Sequence, residues 1–419
     1  MPPPSAHAHA RWHSLAAQLQ LPAAVVDLDA FDQNAATLFA RVPDGVTLRP
    51  ATKSLRVPAL LERLRALGGA KVRGWMTFSA AETEHLADAG FDDFLLAYPV
   101  AQPADAERLL ALGARGKTVR AIVDADAHVD LFAAAAKRLR PAPTTGFSLA
   151  PTSGFSLALD LDVAWRLLGG RLHLGVRRSP LRDPAAAVAL ARRAAAQGLA
   201  VTGVMAYEAQ VAGMRDDQPG SRPDPAGPIR RLIRRRSSPL AAQRRTAVVA
   251  ALKAAGVPIT LVNGGGTGSL AETAHDGSVT EVTAGSGFFA PHLFDGYRGL
   301  ALAPAAFFLL PVTRFPGPGW VTAHGGGYLA SGAIGADRAP IVHWPAGLTP
   351  TGTEGFGEVQ TPFRIDPAVA PRLALGDPIV CRHAKAGELF ERFGVVHLVR
   401  AGERIGEVPS YRGLGWSFG

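Results

Sequence analysis

Short apolar runs alternate with alanine- and leucine-rich stretches through the first two thirds of this chain, and that alternation restricts its fold more than any other feature. The runs predict strands over residues 47–52, 74–78, 93–97, 120–123, 157–161, 201–206, 258–262 and 280–283. Apolar residues at helical spacing fill the gaps, at 57–67, 80–89, 104–112, 125–139, 184–197 and 240–255. Eight strand-then-helix units, repeating about every 35 residues, describe a closed parallel (β/α)8 barrel of the TIM type better than an open doubly wound sheet. Beyond Tyr297 the texture changes. Prolines, glycines and short β-like runs at 305–313, 319–322 and 395–399 replace the helices. The expected organisation is an α/β barrel over residues 22–295, then a β-rich domain over 296–419 that includes the N-terminal residues 1–21.

Composition removes several classes. A single cysteine, Cys381, excludes an intrachain disulfide and a cysteine-rich zinc site. No apolar run approaches the roughly 18–20 residues of a membrane span, and the N-terminus lacks the apolar core of a secretory signal. A soluble cytoplasmic protein without a membrane partner is expected. His7, His9 and His13 read as part of a flexible terminus. The net charge of +9 comes from scattered arginines that no aromatic residues interleave, so no nucleic-acid partner is expected. The dense run from Arg230 to Arg236 reads as a solvated helix face or loop. The near-identical octapeptides 143–150 and 151–158 cannot both be one strand; the second runs on into Leu159-Asp160-Leu161, and the first reads as a loop insertion. Of 44 basic residues only six are lysines, at 53, 71, 117, 137, 253 and 385, so chemistry that needs a lysine amine has six candidates.

The strongest local signal is Asn263-Gly264-Gly265-Gly266-Thr267-Gly268, between the seventh strand and a helical stretch. Consecutive glycines let backbone N–H groups converge on an anion. The lysine of a Walker A loop and the GxGxxG spacing are both absent. A second small-residue turn, Gly285-Ser286, follows the eighth strand, and loops after strands seven and eight are where many barrels bind a phosphate group. Lys53, in Arg49-Pro-Ala-Thr-Lys53, ends the first strand and therefore faces the barrel mouth. A desolvated lysine amine there, across from a phosphate cup, describes a site for pyridoxal 5′-phosphate, the lysine holding the aldehyde and the glycines the phosphate.

The order Val25-Val-Asp-Leu-Asp29, Arg49-Pro-Ala-Thr-Lys53, Met205-Ala-Tyr207-Glu208 and Gly264-Gly-Gly-Thr-Gly268 resembles the fold-type III pyridoxal-phosphate enzymes. It is most similar to the D-serine dehydratase and D-threonine aldolase group, with alanine racemase more distant, and the likeness runs from Leu21 to Trp416. The resemblance implies that the barrel holds the cofactor, that the β domain closes the site, and that the protein is a homodimer. It implies that Lys53 anchors the cofactor and removes the Cα proton. Asn263 to Gly268, with Gly285 and Ser286, would bind the phosphate, and Tyr207 the ring or the phosphate. Arg171 is the preferred partner of the pyridine nitrogen, with His173 as the alternative.

The segment Cys381-Arg-His383-Ala-Lys385-Ala-Gly-Glu388 departs from the pattern. Relatives carry a metal pair there, His-X-Cys or His-X-Asp, whereas here Lys385 takes the second place, and an ammonium has no lone pair for a metal. Three readings stay open: a lost metal with Lys385 assisting departure of a β-hydroxyl, a divalent metal held by His383 with Glu388 or Cys381, or a structural cluster. Strand alternation would put Cys381, His383 and Lys385 on one face. The implied activity is a lyase that deaminates a small D-3-hydroxy amino acid, of the D-serine or D-threonine type, by β-elimination to a 2-oxo acid and ammonia, with Lys53, His383 and Lys385 at the reacting end. Retro-aldol cleavage, racemisation and a non-catalytic pyridoxal-phosphate carrier are the alternatives.

Overall fold

The computed structural model describes residues 6–139, 154–217, 224–333, 335–370 and 372–418. The chain forms two compact units. One holds Leu38–Lys53 and Gly68–Gly285; the other holds the residues up to Thr37, with Ser54–Leu67 and Ser286–Ser417.

The first unit is the (β/α)8 barrel. Its strands are Thr47–Pro50, Trp75–Thr77, Phe94–Leu96, Val119–Val123, Phe155–Asp160, Val201–Ala206, Leu261–Gly264 and Glu281–Ala284. From the second to the eighth they pair in parallel in chain order, and the eighth pairs back with the first over Glu281↔Thr47 to Ala284↔Pro50. Only the seam between first and second strands is thin. It closes through the bridges Leu48↔Val72 and Ala51↔Met76, and through the Thr52 hydroxyl, which donates to the Met76 carbonyl at 2.9 Å. Strands covered on both faces read as continuous apolar runs; Phe94-Leu-Leu96 is buried throughout and Val201–Ala206 almost so. Leu95, Ile122, Ala158, Met205 and Leu261 pack together as one cluster from five adjacent strands. Each of these side chains other than Ala158 contributes about 1.5–3 kcal/mol by leaving water.

The helices begin where the sequence supplies caps. Asp183 accepts the Ala186 N–H at 2.9 Å ahead of Pro184–Ala196, with Pro184 where its missing N–H costs nothing. Ser79 accepts the Glu82 N–H at 3.0 Å ahead of Ala80–Asp88. Two elements differ from expectation. The seventh strand begins at Leu261 rather than 258, since Pro258 has no N–H for the ladder and Ile259 spends its own on Val257. The last long helix begins at Gly227 rather than 240 and absorbs the arginine run. That run is not simply solvated. Arg230 pairs with Asp224 and Arg231 with Asp217, while buried Arg234 bonds Asp216 and Glu272, both at 3.1 Å, and the Gly268 carbonyl at 2.9 Å. Of the two octapeptides, the second enters the strand Phe155–Asp160, and the first lies outside the described residues.

The second unit is mostly sheet. Its strand Ala23–Asp27 runs antiparallel to Ala306–Arg314 and parallel to Val395–Arg400, and Pro378–Arg382 joins Ala306–Arg314 to Ile341–Trp344. Residues 22–37 therefore belong with this sheet rather than with the barrel, and the barrel unit ends at Gly285 rather than at 295. The N-terminus is also more ordered than expected. A helix over Ala6–Ala16 buries Trp12 and Leu15 against Val25, Phe307, Leu309, Trp344, Val380 and Val399. No helix among the described residues is long and apolar enough to cross a membrane.

Candidate active site

Lys53 sits in a single 3-10 turn, Thr52–Ser54, directly after the first barrel strand. Thr52 ties this turn to the second strand, and the Ala51 N–H ties it to the Ala284 carbonyl at the end of the eighth. The lysine is thus held by both neighbouring strands. Its Nζ donates to the hydroxyl of Tyr98 at 2.7 Å, just beyond the third strand.

Tyr98 lines a cleft of about 260 Å³ at the C-terminal ends of the third to sixth strands. Asp124, Asp160 and Asp162 follow or end the fourth and fifth strands, Arg178 comes from the segment after the fifth, and Tyr207 follows the sixth. Ile122, Leu161, Val176 and Met205 supply an apolar lining. The Arg178 guanidinium lies 5.7 Å from the centre of the Tyr207 ring. Burial pushes the Tyr207 phenol up to about 12, so it keeps its proton. Asp160 is pushed up to about 7, first by burial and then by the charge of Asp124, against the opposing pull of Arg178.

The Tyr207 ring also reaches the glycine loop. A Cβ on Gly266 would lie 3.2 Å from Tyr207 Cε2 and 3.0 Å from Ala212 Cβ, so only glycine fits without displacing them. Gly265 has φ +79°, a left-handed conformation that glycine adopts without strain. The loop is tied down by Glu208, whose buried carboxylate accepts the Gly265 N–H at 3.2 Å and the hydroxyls of Ser269 and Thr273. Buried Arg245 neutralises it at 2.9 Å and also holds Asp276 at 2.6 Å. The turn Thr267–Ser269 then starts with the amides of Thr267 and Gly268, backed by Arg234 on the Gly268 carbonyl. Gly285 follows the eighth strand directly.

Several residues expected at the site are committed elsewhere. The Asn263 side-chain amide donates to Glu281 at 2.8 Å and Thr283 at 2.9 Å, which leaves its role in linking the seventh and eighth strands rather than in the glycine loop. Arg171 is exposed between the ribbon strands Trp165–Leu167 and Leu172–Leu174, and His173, within that ribbon, bonds the Val176 carbonyl at 3.1 Å. Neither lines the cleft; Arg178 does. Ser286 belongs to the sheet-rich unit, where its hydroxyl lies 3.3 Å from that of Ser54.

The C-terminal cluster also lies in the sheet-rich unit. The strand Pro378–Arg382 stops before His383, so the alternation that would align Cys381, His383 and Lys385 does not reach His383 and Lys385. Burial beside Arg382 pushes His383 down to about 3, leaving a neutral imidazole in the interior of the sheet-rich unit. The Glu388 carboxylate accepts the Ser331 N–H at 2.9 Å, the buried Cys381 thiol is driven far above its ordinary pKa, and no group of three His, Cys, Asp or Glu able to hold a metal occurs among the described residues. Lys385 donates to the Ser331 hydroxyl at 2.8 Å.

Tyr98, Asp124, Asp160 and Arg178 escaped the sequence reading. The first three obey the rule that found Lys53, because each lies at or just past the C-terminal end of a barrel strand. Arg178 had no such signal: its orientation depends on the path of the chain after the fifth strand.

Residues 26–291 match the family model described as the alanine racemase N-terminal domain. Among solved structures, the chain is similar to a D-threonine aldolase from Filomicrobium marinum, at 21% identity and a TM-score of 0.76, over 96% of this chain and 97% of that one. It is similar to a D-threo-3-hydroxyaspartate dehydratase from Delftia sp. HT23, at 22% identity and a TM-score of 0.73, over 94% and 98%. An alanine racemase from Clostridium difficile 630, in complex with cycloserine, matches at 12% identity and a TM-score of 0.60, over 93% and 99%. No curated protein matches the sequence.

Proposed function

The chain belongs to the alanine racemase N-terminal domain family, within the fold-type III pyridoxal-phosphate enzymes, and from that premise we propose that it is a lyase deaminating a small D-3-hydroxy amino acid by β-elimination. The observation that carries this reading is the Lys53 amine, 2.7 Å from the Tyr98 hydroxyl, beside a cleft whose Tyr207 wall abuts a glycine loop. These residues fit pyridoxal 5′-phosphate. A lysine amine can hold its aldehyde, and a glycine loop crowded against a Cβ at Gly266 lets a phosphate come close to its backbone. When bound, the cofactor supplies an electron sink that acidifies the Cα–H of an attached amino acid.

The protein's own groups then have distinct tasks. Lys53 would hold the cofactor, and its Nζ would be the base that takes the Cα proton. Tyr98 keeps that amine oriented through its hydroxyl. Gly264 to Gly268, with Gly285 and Ser286, hold the phosphate, and Glu208 with Arg245 keeps the loop in place. Arg178, rather than Arg171 or His173, is the cation available to the ring edge. Lys385 is proposed to assist departure of the β-hydroxyl, with neutral His383 beside it in sequence. An ammonium where relatives carry a metal ligand favours elimination over retro-aldol cleavage. A homodimer in the cytoplasm is part of the same proposal.

Purified protein should take up pyridoxal phosphate and turn yellow, and Lys53→Ala should abolish the visible band. A protein that remains colourless sinks the reading. Keto-acid release from D-serine, D-threonine and D-allo-threonine, against glycine and aldehyde release, separates elimination from aldol cleavage. Activity surviving a chelator is expected; loss on chelation contradicts the role given to Lys385.

A further inference from the structure

The cleft holds one acid that the proposed chemistry does not use. Asp160 ends the fifth strand, is 8% exposed, and turns its carboxyl toward the cleft. That carboxyl has no hydrogen-bond or ion-pair partner among the described residues, while the backbone carbonyl of Asp160 accepts from the Ser179 hydroxyl at 2.6 Å. Its neighbours are all accounted for. Asp124 pairs with His128 at 3.0 Å, and Asp162 is held by Arg166, Arg182 and the Ala164 N–H. Tyr98 and Tyr207 offer phenols, and Lys53 is bonded to Tyr98. Arg178 is the one cation among the cleft residues. An apolar wall and two nearby carboxylates both disfavour a third negative charge at Asp160, whereas a single guanidinium favours it.

We propose that Asp160 is a positioning residue that serves as a neutral acid, donating a hydrogen bond from its carboxyl to an acceptor on the edge of the ligand that fills the cleft. Resting on the pyridoxal-phosphate reading, that acceptor is the ring's phenolate oxygen or its unprotonated nitrogen. Such a ring presents two acceptors, and Arg178 and protonated Asp160 are among the donors of the cleft, beside the phenols of Tyr98 and Tyr207. A carboxylic acid kept neutral by an apolar site can donate a bond that a carboxylate cannot. The raised pKa of Asp160, about 7, agrees with this geometry.

Asparagine is neutral and keeps a donor, so Asp160→Asn and Asp160→Ala divide the possibilities. Full-length protein prepared without cofactor is titrated with pyridoxal phosphate, about one pH unit below and above the Asp160 transition, by visible absorption. At the lower pH, Asp160→Asn should bind like wild type and Asp160→Ala roughly three- to tenfold more weakly, the loss of one hydrogen bond. At the higher pH, wild type should lose affinity relative to Asp160→Asn. Equal impairment of both variants would mean the group acts as an anion, and the proposal falls. It also falls if both variants bind like wild type, or if the wild-type to asparagine ratio ignores pH. Should wild type bind no cofactor, the functional reading fails by itself. The carboxyl is then read by carbon-13 NMR of labelled aspartate in the same protein: a signal titrating near neutrality, and missing in Asp160→Asn, supports the neutral acid, and its absence overturns it.

Discussion

At Asp160, burial has a consequence for stability that is independent of any ligand. The folded carboxyl is pushed up to about 7, while in the unfolded chain it ionises near its ordinary value of about 3.9. Between those two values the folded state binds the extra proton, so stability falls as pH rises through the window and then levels off. The slope is at most about 1.4 kcal/mol per pH unit, less whatever the open cleft screens. Asp160→Asn cannot ionise and escapes this cost. It should resist urea better than wild type above pH ~7, with the gain shrinking towards pH ~4. A gain of the same size at both ends would mean that the carboxyl is not shifted. Gly266 makes a steric counterpart. Gly266→Ala would press a methyl against Ala212 and Tyr207, costing about 1–3 kcal/mol, and should weaken cofactor binding more than Gly277→Ala, where a Cβ meets open space but the φ of +72° still strains the backbone. Equal cofactor affinity in the two variants would dismiss the crowding at Gly266.

The glycine loop is an element whose shape is imposed from behind. Glu208, one residue past Tyr207, gathers Gly265, Ser269 and Thr273, and the long helix Gly227–Ala254 sends Arg245 to meet it and Arg234 to the Gly268 carbonyl. Both members of the Glu208–Arg245 pair are 1% exposed, so removing one strands the other's charge in the interior. Arg245→Met should cost about 3–5 kcal/mol and loosen the loop, while the double variant Arg245→Met with Glu208→Leu should recover part of the stability. Urea denaturation of the two single variants and the double variant measures that coupling. Cofactor affinity should stay low in the double variant, because apolar residues cannot restore the bond to the Gly265 amide. Recovery of affinity along with stability would show that the pair does not shape the loop.

For the whole molecule, a ligand held by groups from several strands should stabilise the fold by mass action. Pyridoxal phosphate at about a hundredfold excess over its Kd should add about 2.7 kcal/mol, read as a rise in Tm, and Lys53→Ala should lose most of that rise. Binding groups from the first, third, sixth and seventh strands exist together only when the barrel is closed, and closure rests on the thin seam between Leu48–Ala51 and Val72–Met76. Thr52→Val removes the hydroxyl that donates across that seam to Met76. It should destabilise by about 1 kcal/mol and weaken cofactor binding. An unchanged Tm would show that the seam holds without it.

The sequence by itself determined what depends on local pattern. Eight apolar runs spaced by helices specify a barrel, because strands buried on both faces must be apolar throughout and helices need a 3.6-residue stripe. The same locality made Lys53 and the glycine loop legible, since a strand's end and a run of glycines are both features of consecutive residues. Only the tertiary structure decided which distant groups face one another. Residue spacing could not choose between Arg171 and Arg178, because the choice depends on how the ribbon Trp165–Leu174 leaves the fifth strand. Nor could it send Asn263 to Glu281 and Thr283, or bring Arg245 to Glu208 across 37 residues. The state of Asp160 lies furthest from the sequence. Its charge is set by the dielectric and the field around it, and both come from residues on other strands that only the closed barrel assembles.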